Sequence, residues 1–77
     1  MAFYIRIEKL TDTAQEATFR FYDTAYPEEV GELRLNKADE EISMVKPTRQ
    51  TFFVRASRKV AIAYKAGPLP DFLEWAS

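Results

Sequence analysis

Apolar side chains recur at every second position through the first half of the chain. From Ala2 to Leu10, Phe3, Ile5 and Ile7 alternate with Tyr4, Arg6 and Glu8, the period of a strand with one buried face. Thr11 to Glu16 is polar and reads as a turn, since Thr and Asp side chains bond their own backbone. The alternation resumes from Ala17 to Asp23, with Phe19 and Phe21 on one side and Thr18, Arg20 and Tyr22 on the other. These two strands are expected to form an antiparallel hairpin. Tyr26-Pro27 bars a continuous ladder and marks a second turn. Val30 to Leu35 predicts a short third strand, with Gly31, Leu33 and Leu35 opposed to Val30, Glu32 and Arg34. After a charged turn over Asn36 to Glu41, Ile42 to Val45 reads either as a fourth, edge strand or as an extended lead into the next element.

The period changes after Lys46. Phe52, Phe53, Ala56, Val60, Ala63 and Tyr64 fall within one sector of a helical wheel about 120° wide, the width of a core-facing stripe. The spacing predicts a helix over 48–66, with Thr48 as N-cap and Gly67, followed by Pro68, as its stop. Val54 and Ile62 lie off the stripe, so they are either packed by a second element or exposed. A hairpin with strands over Thr51 to Ala56 and Val60 to Lys65 is the competing reading. Its turn, Ser57 to Lys59, lacks the Gly, Asn or Asp that tight turns use. The tail after Gly67 holds two prolines, yet Leu69, Phe72, Leu73 and Trp75 are too apolar to be discarded. It is expected to fold back and close one end of the core, with Trp75 docked. The fold class is α+β: an antiparallel three- to four-stranded meander covered on one face by a single C-terminal helix, order βββ(β)α, with a docked C-terminal tail. One domain spans 1–77.

Composition narrows the functional classes. A hydrophobic fraction of 47% with a net charge of −1 over 77 residues favours a folded chain over a disordered one. The chain lacks cysteine and histidine, which removes thiolate ligands, the usual neutral-pH base and the commonest metal ligand. No apolar run approaches the roughly 20 residues of a membrane span, and the N-terminus lacks the features of a secretory signal. The expectation is a soluble, cytoplasmic protein without cofactor or metal. The three serines, Ser43, Ser57 and Ser77, stand at no spacing that suggests an activated nucleophile. The carboxylates of Glu28-Glu29 and Asp39-Glu40-Glu41 fall in predicted turns. The chain is therefore read as not an enzyme.

The small net charge hides segregation. Residues 1–45 carry five basic side chains against ten acidic ones, residues 46–66 carry six basic and none acidic, and the tail adds Asp71 and Glu74. Two surfaces follow as candidate binding sites. One is the outer helix face, with Arg55, Arg58, Ile62 and Lys65 and, at its edge, Lys59. The other is the outer sheet face, with Tyr4, Arg6, Arg20, Tyr22 and Arg34 among Glu8 and Glu32. Each also has a plain structural reading, as a solvated basic face and as cross-strand Arg/Glu pairs. The expected function is a small protein-interaction module acting on a partner protein or its own copy, with Leu10, Val30, Val54 and Ile62 as apolar anchors and edge-strand pairing as one route to a dimer. The alternative is a nucleic-acid-binding domain, using the basic helix face or the Arg/Tyr sheet face. The acidic pI of about 5.4 weighs against it.

Overall fold

The two-residue period folds as its spacing requires. A computed structural model describes residues 3–76 and contains four strands in the first part of the chain: β1 (Tyr4–Asp12), β2 (Glu16–Asp23), β3 (Gly31–Asn36) and β4 (Glu41–Lys46). A helix, α1 (Gln50–Ala66), and a fifth strand, β5 (Phe72–Ala76), follow. Ala2, the expected start of the first strand, and Ser77 lie outside the described residues. Every pairing is antiparallel, and the order across the sheet is β4-β3-β2-β1-β5. The fold is α+β, five strands under one helix.

Ile5, Ile7, Ala17, Phe19, Phe21, Leu33 and Leu35 point to one side of the sheet and are fully buried beneath Phe52, Ala56 and Val60 of α1. Ala56 lets the helix axis approach the strands, while Phe53, Ala63 and Tyr64 pack at the margins. Burying ten such side chains supplies the main drive to fold, at roughly 25 cal/mol per Å² of apolar surface.

The expected helix forms: Thr51 to Lys65 lies within α1, and the competing hairpin does not form, because the apolar stripe meets the sheet only at helical spacing. Thr48 is not the cap: Arg49 holds that position with no side-chain cap bond, and the Thr48 hydroxyl donates to the Glu29 carbonyl at 3.2 Å, tying the entry to α1 onto the start of β3. Gly67 stops the helix as expected and adopts positive φ, but with φ 146° and ψ −149° it lies outside the left-handed α conformation of the usual cap. The tail then does more than dock. Leu69 inserts into the core, Lys9 Nζ donates to the Leu69 carbonyl at 3.0 Å, and Phe72 to Ala76 pair with β1 in the register Ile5↔Trp75, Ile7↔Leu73. The tail is a strand, and the meander gains a fifth member.

Candidate functional site

The face of the sheet away from α1 carries the alternate residues, and the registers set them in rows. Lys46, Glu32, Arg20, Glu8 and Phe72 stand opposite one another from β4 to β5. A second row runs Tyr22, Arg6, Glu74. Glu8 sits between two arginines: Arg20 reaches its Oε1 at 2.5 Å and Arg6 Nε donates to Oε2 at 3.2 Å. Hydrogen bonds from Arg20, then from Arg6, hold the Glu8 carboxyl below its ordinary pKa. Two of the three sheet arginines thus share one carboxylate, while Arg34, opposite Thr18 and Ser43, has no ion pair among the described residues.

Beyond this charged band the surface becomes aromatic. Tyr4 is 47% and Phe72 50% exposed, and the Arg6 guanidinium lies 5.0 Å from the Phe72 ring centroid. A hydrogen bond to Glu74 raises the Tyr4 phenol above its usual pKa. Phe72 and Glu74 join this surface only because the tail is a strand, and no sequence signal placed them there.

The helix face is less unified than its spacing suggested. Arg55 folds back over Phe3, 3.7 Å from the ring centroid, and donates to the Thr51 carbonyl at 3.0 Å. Arg58 lies 5.9 Å from the Trp75 ring. Lys59 is half-buried beside them, and Ile62 and Lys65 are exposed. Val54 and Ile62 are both exposed but stand eight residues apart, about 12 Å along the axis, with Arg58 between them. Leu10 projects where the β1 register shifts between Lys9 and Thr11, and Val30 is half-buried. These four do not gather into one patch.

The carboxylate groups serve turns and anchors. Asp39 Oδ1 accepts from the Glu41 amide at 2.9 Å. Glu29 takes Arg49 at both oxygens, at 2.8 and 3.2 Å, and that pair raises the Arg49 pKa. Arg49 also lies 4.4 Å over Tyr26. Asp23, 5% exposed, accepts from the Ala25 amide at 2.8 Å and closes β2 into the Tyr26-Pro27 turn. It lines a cleft of about 260 Å³ with Phe3, Tyr26, Arg49 and Phe52. Among the described residues, no three carboxylates converge as a metal site, and no helix is long and apolar enough to cross a membrane.

The chain matches no family model, no curated protein and no solved structure.

Proposed function

We propose that this chain is a small, cytoplasmic, non-enzymatic protein-interaction module that docks through the outer face of its sheet. The observation that carries this reading is the placement of two half-exposed rings, Tyr4 and Phe72, on either side of Arg6 on that face. Tyr, Phe and Arg on a rigid surface are the residue types that anchor protein interfaces, because they bury large area at low conformational cost. About half of the surface of each ring residue remains open to water and available to a partner. Arg6 and Arg20 are both ion-paired to Glu8 and stand opposite Glu74 and Glu32 in the register, so this face alternates in charge, which favours a protein partner over a polyanion that needs unpaired cations.

The test compares immobilised wild-type protein with a Tyr4→Thr/Phe72→Thr variant, which keeps strand propensity and removes both rings. With both folded by circular dichroism, a protein captured from cell extract by the wild type and lost with the variant supports the reading. Equal recovery on both refutes it.

A further inference from the structure

The two edges of the sheet are unlike. β4 carries an extra residue, Val45, where its register against β3 shifts between Glu32 and Leu33, and it ends on Lys46 before Pro47. Bulges, lysine and proline are features that turn a further strand away. β5 pairs with β1 in unbroken register from Phe72 to Ala76, contains no lysine or proline, and is the last strand of the sheet. Among the described residues no strand covers its outer edge.

The helix presents its basic flank to that edge. Arg58 approaches Trp75 of β5, and Arg55 covers Phe3 immediately before β1. Lys59 and Ile62 lie one turn further along the same flank, by the i to i+4 geometry of a helix. Arg55, Arg58 and Lys59 form no ion pair with any carboxylate of the described residues, where the ion pairs are those of Arg6, Lys9, Arg20, Lys37 and Arg49. Arg55 Nε is buried without a hydrogen-bond partner. An open strand edge and uncompensated positive charge therefore stand side by side.

We propose that β5 accepts an extended acidic segment of a partner protein as a sixth strand, with carboxylates at alternate positions facing α1. Main-chain hydrogen bonds to the edge supply affinity, and the flanking side chains select the sequence. Alternate residues of a strand lie about 7 Å apart on one face, so successive carboxylates pass beneath the basic flank. The intervening residues share the outer face with Phe72 and Glu74, where apolar or hydroxyl side chains fit and a further carboxylate would oppose Glu74. Charge also argues against a second copy as the occupant. A two-fold pairing of β5 with itself that keeps both helices on one side brings two basic flanks to one seam, and the register that pairs all five residues has Glu74 on the axis. That register sets the Glu74 carboxylate against its own copy. The proposal rests on the interaction-module reading and names the partner's chemistry at an adjoining surface.

Trp75 is the only tryptophan, so its fluorescence reports on this edge. The probe is an acetylated octapeptide alternating glutamate with valine and threonine, titrated into the full chain at low salt. A saturable change in Trp75 emission is expected, weakened about tenfold or more in Arg58→Glu/Lys59→Glu and lost when alternate peptide nitrogens are methylated. Equal binding by the methylated peptide or by its lysine counterpart overturns the proposal, as does no spectral or NMR shift change up to about 1 mM peptide. Sedimentation showing a dimer of the chain alone through β5 also overturns it. If the peptide fails while partner capture still depends on Tyr4 and Phe72, strand addition falls alone. If capture fails too, the interaction reading falls with it.

Discussion

Replacing Gly31 with alanine would put a methyl group where the fold leaves no room. A Cβ at that position lies 2.5 Å from Thr48 Cγ2 and 2.8 Å from Phe21 Cζ, whereas unstrained carbon contacts need about 3.5 Å. Neither neighbour yields easily, since Thr48 is held by its bond to the Glu29 carbonyl and Phe21 is fully buried. The glycine is required by packing and not by backbone angle, because positive φ occurs among glycines only at Gly67. Two effects compete. Alanine restricts the unfolded chain, a gain of about 0.4–1 kcal/mol, while overpacking costs about 1–3 kcal/mol. At these distances overpacking wins, leaving a net loss of about 1–2 kcal/mol, which lowers Tm by about 5–15 °C in a domain of this size. Urea and thermal unfolding followed by Trp75 fluorescence measure it. Thr48→Ser keeps the hydroxyl and removes the offending methyl, so Gly31→Ala should cost about half as much in that background, with the Phe21 contact remaining. A neutral or stabilising Gly31→Ala, or the same cost in both backgrounds, would refute the assignment of this contact as the reason for glycine.

Three other outcomes are expected. Trp75→Ala should destabilise by about 2 kcal/mol, below the 3–5 kcal/mol of a fully buried tryptophan because Trp75 is only half-buried; a loss under about 0.5 kcal/mol by circular dichroism would show β5 contributing little. Glu8 has a lowered folded-state pKa, so its stabilisation is present above the ordinary carboxylate value of 4.5 and is lost as pH falls through the lowered value. Glu8→Gln should therefore lower Tm at neutral pH and flatten the decline below pH 4.5, and an unchanged acid limb would count against the Arg20 and Arg6 bonds. Finally, fluorescence anisotropy with single- and double-stranded oligonucleotides should detect no binding at about 150 mM salt, while binding that weakens steeply with salt and loses slope in Arg34→Ala would revive the nucleic-acid reading.

The first three strands were legible because burial on one face forces a period of two, and Phe19-Arg20-Phe21 admits no other reading. The helix stripe was equally clear, down to Ala56 and Ala63. β5 was hidden for a physical reason. Leu73 and Trp75 face the helix and Phe72 and Glu74 face outward, but Phe72 is itself apolar, so the outward positions do not look polar, and Pro68 and Pro70 advertise a loop. At Thr48 two uses compete for one hydroxyl, capping α1 or tying the crossover to Glu29, and the sequence does not distinguish them; the second is realised as Thr48 packs on Gly31. Register placed Tyr4, Arg6, Arg20, Tyr22 and Arg34 together on the outer face as their parity required. The rings that draw Arg55 and Arg58 aside, Phe3 and Trp75, lie far from them in sequence, and only the pairing of β5 with β1 makes them neighbours.

That pairing also decides the fate of the charge segregation. A basic helix in an acidic chain would be unremarkable if the acidic turns folded against it. Only Arg49, of the six cations in residues 46–66, forms an ion pair among the described residues, with Glu29 at the entry to α1. The Asp39 carboxylate accepts from the Glu41 amide in the turn between β3 and β4, at the opposite edge of the sheet from β5, and Glu40 of that turn lines a groove with Arg58 without forming an ion pair to it. Arg55 and Arg58 lie over aromatic rings, which hold a guanidinium without cancelling its charge. The positive field therefore survives folding on one side of the helix, within the roughly 8–10 Å over which charges act at physiological salt. On that side lies β5, the sheet edge without bulge, lysine or proline. Positive charge there would be idle as decoration but useful as a guide for an acidic strand, since it steers approach and fixes which face turns inward.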